Sequence, residues 1–457
     1  MKKSLFAIAA ATAFTGAAQA QSSVTVYGIL DVGYISQTEK VAGTPGTIGA
    51  TTAAAYGRTT TTTSGFASNG QSTSRLGFRG TEDLGGGTSA FFTFETGLNP
   101  AGASTLSAFN NRQAFVGLGQ KGMGNVRIGT QYTPVHEAVG ATDAGQQNNM
   151  PGNVIYGLDQ SVNGQNQASA GQYAGANSPQ VYNSNGAAFL GGAGGGANTY
   201  TIRSNNMIRF ATEAFSGFVG KAFVVQGNSN TNQTATVAAG ATTNGGGSTN
   251  SNGWGVGIDY TWKKLLVTAN YQNFKQQTGT YTVVNATGET TAGFMLMPGT
   301  SNTGGVNSND NQMYFGATYD FGILKAYAQY INRKVSSTLD NNIYTQRTAQ
   351  QIGVRGNVTK TVEGFASVGS GKLTNSYDVG ANAAGTALVY QNGKANISGW
   401  QLGSNYWLSK RTNLYAIYGI QQTGNAVYPT TVNGNTATNN AVSNGVAAYA
   451  LGVRHTF

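Results

Sequence analysis

Arg75 alternates with Leu76, Arg127 with Val126 and Ile128, and Arg209 with Ile208 and Phe210. A two-residue period puts each guanidinium on the face opposite an apolar stripe. A guanidinium stays protonated and presents a rigid fork of donors, so its chemistry is to hold or steer anions rather than to move protons. Groups for covalent or redox chemistry are scarce. Cysteine is absent, which removes disulfides and thiolate metal sites. The two histidines, His136 and His455, have no partners at metal-ligand spacing, and His136-Glu137 lacks a second histidine four residues on. Gly117-Leu118-Gly119-Gln120-Lys121-Gly122 fits G-x-G-x-x-G, but a strand follows it where a dinucleotide site needs a helix. Gly369-Ser370-Gly371-Lys372 falls short of a phosphate loop, with Ala366 in place of the first glycine and Leu373 in place of Ser or Thr. No G-x-S-x-G is present. These residues imply no cofactor, no metal and no enzyme.

The elements that carry the arginines recur along the whole chain. Val24, Val26 and Gly28 alternate with Thr25, Tyr27 and Ile29, and Leu76 and Phe78 with Arg75, Gly77 and Arg79. Phe92 and Phe94 alternate with Thr93 and Glu95, and Val126, Ile128 and Tyr132 with Arg127, Gly129 and Gln131. Seven short links, at 82–87, 121–124, 215–217, 263–264, 320–322, 359–361 and 409–411, suit tight hairpin turns. Between them lie long links rich in Gly, Asn and Thr, such as 38–72, 228–252 and 276–311. Short and long links alternate, which places them at opposite ends of the strands. Seven short-turn hairpins with a first strand at 24–36 and a last at 446–457 make sixteen strands. The pattern predicts an all-β fold, a 16-stranded antiparallel transmembrane β-barrel with short periplasmic turns and long extracellular loops. Its apolar face meets lipid, its polar face lines a lumen, and closure leaves no unpaired edge in hydrocarbon. Tyr260, Trp262, Tyr271, Tyr319, Tyr327, Tyr330, Tyr406 and Trp407 sit near strand ends, where interfacial girdles are expected.

Composition agrees. Charged residues are 9% of the chain, against about 25% in soluble domains, and apolar residues 39%. Glycine, at 67 of 457 residues, is about twice its usual share. A water-filled barrel has no oily core to supply. No run of about 18 apolar residues marks a membrane helix in the mature chain. The aromatics argue against simple disorder, and glycine lacks the collagen period. Residues 1–20 read as a signal peptide, with Lys2 and Lys3, an apolar run from Leu5 to Phe14, and Ala18-Gln19-Ala20 ahead of a cut between Ala20 and Gln21. Residues 21–457 are left to form the barrel. Losing Lys2 and Lys3 takes the formal charge from +10 to +8. Apart from pairs such as Lys263-Lys264 and Lys410-Arg411 the remaining cations are scattered singly, without the basic clusters of a nucleic-acid surface, so no nucleic acid is expected as a partner.

On residues 22–31, 74–87, 111–118, 203–210 and 451–457 the chain resembles the general diffusion porins of Gram-negative bacteria, in the group common among β-proteobacteria. The resemblance implies a sixteen-stranded homotrimer in the outer membrane, among lipid and lipopolysaccharide, passing ions and small hydrophilic solutes. Phe457, ending an alternating strand, matches the family's signal to the barrel assembly machinery. The family's third long loop, here about 134–201, folds into the lumen and narrows it. That implies that Glu137, Asp143 and Asp159 face arginines on the opposing wall. Arg75 and Arg203 match wall positions. Arg112 lies at or beside a third, but its parity with Ala114, Val116 and Leu118 points it outward unless a bulge resets the register. Arg127 and Arg209 point inward by alternation. Opposed charges across a narrow aqueous gap set a transverse field that low-dielectric walls focus. Fixed charges in such a gap set ion preference, and the basic excess predicts a weak preference for anions. Two rivals are weaker. A secreted Gly/Asn/Thr-rich β-solenoid adhesin needs a fixed repeat that the links lack. An outer-membrane barrel enzyme needs a Ser, His and acid set that is missing.

Overall fold

The computed structural model describes residues 23–42, 58–102, 111–155, 202–231, 247–278, 282–284, 290–292, 308–337, 341–342, 344–381, 388–432 and 435–457. The signal segment, with Ala20 and Gln21, and Asp159 lie outside them. In chain order the strands are β1 (Ser23–Ala42), β2 (Arg58–Ser68), β3 (Arg75–Gly85), β4 (Thr88–Gly97), β5 (Asn111–Gln120), β6 (Gly124–Tyr132) and β7 (Arg203–Thr212). Then come β8 (Phe218–Thr231), β9 (Gly247–Trp262), β10 (Leu265–Thr278), β11 (Thr282–Val284), β12 (Thr290–Ala292) and β13 (Ser308–Asp320). The remainder are β14 (Lys325–Ser337), β15 (Tyr344–Asn357), β16 (Val362–Ala381), β17 (Leu388–Trp407), β18 (Thr412–Val432) and β19 (Asn435–Thr456). One helix, α1 (Pro134–Thr142), follows β6.

The strands make a closed barrel of sixteen antiparallel staves. The upper part of β1 pairs with β2 and its lower part with β3, so β2 and β3 are one stave interrupted at residues 69–74. β11 and β12 pair only with each other. Every other strand pairs with its sequence neighbour, and β1 meets β19 from Ile29↔Thr456 to Lys40↔Gly445. The seam is finished by the last residue. Gly28 N donates to Phe457 O at 3.1 Å and Phe457 N to Gly28 O at 3.2 Å. A Cβ at Gly28 would collide with the Phe457 ring, so glycine is what lets this corner close. The interruption in the second stave is pinned to the seam. Asp31 accepts from Gln71 N at 2.8 Å, from Ser72 N at 2.5 Å and from the Tyr415 hydroxyl at 2.6 Å.

The faces are sorted as alternation requires. Val24, Val26, Phe92, Val116, Ile128, Val256, Ile258, Ile352, Val354, Leu402 and Leu451 stand exposed on the outside. Gln272, Gln312, Gln329, Arg333, Gln351 and Gln401 are buried on the inside. A soluble sandwich would place these two groups the other way round. All seven tight turns fall where the short links lie, and the first uses Gly85, Gly86 and Gly87, each at positive φ.

Two expectations need correcting. Within the link 38–72 the described residues 38–42 and 58–68 are strand, because the β-branched run Thr59–Thr63 extends the ladder against β1. On the same side β16–β19 run 20, 20, 21 and 22 residues, against 9 or 10 in β4–β7. Only two residues separate β18 from β19, so link lengths do not alternate strictly there. Among the girdle aromatics, Tyr327 and Trp407 turn inward: Tyr327 is buried and Trp407 bonds to Glu363. Trp262, Tyr319 and Tyr406 are exposed outward, Tyr260 stacks on Phe218, and Tyr271 and Tyr330 lie tilted against Trp254 and Phe315.

Candidate functional site

Irregularities in the ladder gather the polar groups on the wall from β3 to β7. Between β4 and β5, Glu95 pairs with Gln113 and Thr96 with Asn111, leaving Arg112 as the extra residue of a bulge. The bulge turns Arg112 inward against its strand parity. Between β6 and β7 the register shifts again from Gly129↔Met207 to Gln131↔Ser204. Tyr132 thereby joins the inner cluster instead of continuing the outward stripe of Val126 and Ile128.

Two guanidiniums then converge on one carboxylate, with a third beside them. Arg112 Nε lies 2.6 Å from Glu95 Oε1, and Arg75 Nη1 lies 3.9 Å from the same oxygen. Arg112 Nη2 donates to the Tyr132 hydroxyl at 2.6 Å, and the Arg203 guanidinium sits 5.9 Å over the Tyr132 ring. Tyr27 donates to Glu95 Oε2 at 3.2 Å. His136 lies against Tyr132, with ring centroids 4.7 Å apart. Burial, then the charges of Arg203 and Arg112, push the His136 imidazole down to about 3, so it is neutral at any ordinary pH. The cluster therefore keeps a net positive charge.

A second cluster hangs from α1. The helix starts at Pro134 after Thr133, whose side chain accepts from His136 N. Its first turn presents Glu137. Arg209 clamps that carboxylate through two hydrogen bonds of 2.5 Å, Arg127 approaches at 3.5 Å and Lys221 at 3.7 Å. Lys221 also pairs with Asp259 at 2.5 Å. Burial favours the protonated form of Glu137, but the bonds and charges of Arg209, then Lys221 and Arg127, outweigh it and hold the carboxyl below its usual range. Arg209 Nη1 donates as well to Tyr132 O at 3.0 Å, joining the two clusters.

Beyond Glu137 the segment to Ile155 lies along the inner wall. Val135, Ala138, Val139, Val154 and Ile155 pack among Tyr314, Ile331, Ala349, Leu373, Ala395 and Ile397. Polar ties fasten it to several staves. Thr142 meets the Tyr314 hydroxyl at 2.5 Å, and Arg355 Nη1 donates to Ala144 O at 2.8 Å. Gln401 Nε2 reaches Met150 O at 2.7 Å, Arg347 donates to Val154 O, and Asn149 Nδ2 reaches Asn69 O at 2.7 Å in the interrupted stave. Asp143 is 1% exposed in this seat and shows no carboxylate to the water. It accepts from Gln147 N at 2.8 Å and from Gln351 Nε2 at 3.0 Å, and burial pushes its carboxyl up.

The structure thus brings Arg75, Arg112 and Arg203 together, sets Arg127 and Arg209 around Glu137, and places Asp143 apart from all five. Sequence reasoning missed Glu95, Tyr132, Lys221 and Asp259. Glu95 was visible by parity, since it shares the face of Thr93 opposite Phe92 and Phe94. Tyr132 was hidden by the β6–β7 irregularity.

Comparison with known proteins places this geometry. A model of the Gram-negative porin family matches residues 7–426. An outer membrane porin protein of Bordetella pertussis is 27% identical over 439 residues, covering 92% of this chain and 94% of that protein. Outer membrane porin protein 32 of Delftia acidovorans is 33% identical over 219 residues, 48% of each chain. Among solved structures, an anion-selective porin from Comamonas acidovorans superposes with a TM-score of 0.57 at 19% identity, over 96% of this chain and 100% of that one.

Proposed function

This chain belongs to the Gram-negative porin family and is an outer-membrane β-barrel channel, and from that premise we propose that its narrow zone favours small anions. Its relatives are channels rather than enzymes, and passage here is driven by the solute's own gradient. The observation that carries the reading is that Arg75 and Arg112 share the single carboxylate of Glu95 while Arg203 stands beside them over the Tyr132 ring. With the second cluster counted, six cations (these three with Arg127, Arg209 and Lys221) stand with three carboxylates, Glu95, Glu137 and Asp259. In a wet gap between low-dielectric walls, that surplus raises the local concentration of anions and lowers that of cations. Glu137 acts as the clamp of α1 rather than as a charge facing Arg209 across open water, so the transverse field is shallower than in an opposed-charge gap. The anion-selective character of the Comamonas acidovorans protein is in keeping with this reading.

The rest of the life history completes the proposal. Residues 1–20 direct export and are removed between Ala20 and Gln21, as Lys2, Lys3 and the small residues at the cut suggest. Phe457 presents the end of β19 to the assembly machinery, and the barrel works as a homotrimer among lipid and lipopolysaccharide. The described part of the third long link, 134–155, narrows the lumen, and Asp159 lies outside the described residues. The solutes are ions and small hydrophilic molecules.

Planar bilayers with a tenfold KCl gradient test the selectivity. The wild type gives a reversal potential of the anion-selective sign. Replacing Arg75 and Arg203 by Gln moves it toward zero or past it. A wild-type channel that is clearly cation-selective overturns the reading.

A further inference from the structure

The rim formed by the seven tight turns is divided by charge. The turns from β3 to β8 carry Glu82, Asp83, Lys121 and Glu213, three acids and one cation. The turns from β9 to β18 carry Lys263, Lys264, Asp320, Lys360, Lys410 and Arg411, five cations and one acid. All five of these cations are exposed. Each of the three basic turns also holds an exposed apolar side chain: Trp262 at 55% exposure, Val358 at 75% and Leu408 at 57%. The turn that carries Asp320 exposes Ile323 and the acidic turns expose Leu84, Met123 and Phe215, so the two arcs differ in charge rather than in apolar surface. Just above the basic arc the outward aromatics Tyr319 and Tyr406 continue the same strip.

Direction separates this arc from the channel mouth. Trp262 ends the outward row Trp254, Val256 and Ile258, and Lys263 Nζ sits 5.0 Å over its ring. The ammonium is therefore held on the lipid side. Lys325 behaves differently: it lies over the inward Tyr327 ring, 5.3 Å away, and belongs to the mouth. Apolar groups at the level of the acyl carbonyls, with ammonium and guanidinium groups one residue beyond, match the layering of a leaflet surface. We infer that the arc from Lys263 to Arg411 binds the anionic phospholipid headgroups of the periplasmic leaflet, and that the acidic arc from Glu82 to Glu213 does not. The inference rests on the outer-membrane porin reading, which fixes the short turns on the periplasmic side. The occupant follows from charge complementarity: each cation near an anionic leaflet gains attraction, and the headgroup phosphate lies within a Debye length.

The full-length protein, folded into vesicles, provides the test. Brominated phosphatidylglycerol and brominated phosphatidylcholine are compared as quenchers of tryptophan fluorescence, and subtracting Trp262→Phe isolates the Trp262 signal. At low salt the Trp262 component is quenched at about fivefold lower mole fraction of the glycerol lipid, and 0.5 M KCl removes the preference. The variant Lys263→Gln/Lys264→Gln/Lys360→Gln/Lys410→Gln/Arg411→Gln loses it while still conducting. Equal quenching of the wild type by both lipids overturns the inference. So does a variant that shifts the reversal potential but keeps the lipid preference, since the cations then serve the mouth. Should the fivefold variant fail to fold, Lys263→Gln/Lys264→Gln and the salt titration carry the same decision. Conductance of the same vesicles reports the channel separately, so loss of the lipid preference and loss of the porin reading give different results.

Discussion

Glu95 is one carboxylate shared by Arg75 and Arg112 with Arg203 beside them, so its removal changes charge in the cluster on which the proposed anion preference rests. Glu95→Gln should strengthen the anion preference, raising the chloride-to-potassium permeability ratio about two- to threefold, a shift of well under 1 kcal/mol. A ratio that falls would show that Glu95 acts mainly by posing Arg112. His136 gives a second check. An imidazole pushed down to about 3 is uncharged throughout the range from pH 5.5 to 8, so the wild-type reversal potential should be flat there. A step near the ordinary imidazole pKa would mean that His136 carries a proton beside the arginines. At this scale much was legible in the sequence. The parity of Arg75, Arg127 and Arg209 gave their direction. Arg112 was not legible, because a bulge of one residue leaves no mark in composition, and Asp143 looked like any other loop acid until its burial was seen.

Among elements, α1 and the segment after it are held by an ion cluster at one end and an apolar strip along the rest. The acid response follows from the signs. Glu137 has a lowered pKa, so its contribution is complete above the ordinary carboxylate range and is lost as pH falls through its depressed value. Asp143 has a raised pKa and takes up its proton first, which relieves the cost of burying its charge rather than removing support. Glu137→Gln should therefore reproduce at neutral pH what the wild type shows only in strong acid. Arg209, whose side chain is 2% exposed, is left without its clamp at a cost of about 3–5 kcal/mol, and single-channel current noise should rise. Quiet recordings from Glu137→Gln would mean that the apolar strip alone holds the helix. The helix itself was unreadable in a polar link of low complexity, and its start depends on Thr133 and Pro134 only because the inner wall offers Tyr314 and Ile331 as a seat.

For the whole molecule, closure and lipid contact set stability. Gly28→Ala puts a methyl group on the Phe457 ring and should lower the temperature at which the barrel loses its compact mobility in SDS gels. Ile258→Lys, at an exposed position on the lipid face, should destabilise the barrel by about 2–4 kcal/mol near mid-membrane, measured by urea unfolding in vesicles. No change in either variant would indicate that these faces do not meet lipid or the seam. Stave number, turn positions and the oily outer face were legible because alternation and tight-turn residues are local signals. Strand length was not, since a ladder rising beyond the bilayer has the same polar, β-branched composition as a loop.

That extra length has an architectural result. Strands of 20 to 22 residues from β16 to β19, tilted as in such barrels, climb about 20–25 Å above the apolar layer, whereas β4–β7 with 9 or 10 residues barely clear it. Among the described residues the ladder is therefore cut on a slant, tall from β16 to β19 and low from β4 to β7. Arg112 and Arg203 stand on low staves, where the described sheet stops about level with the hydrocarbon, whereas Arg75 tops β3 in a stave that β2 carries on upward beside the tall parapet of β1 and β16–β19.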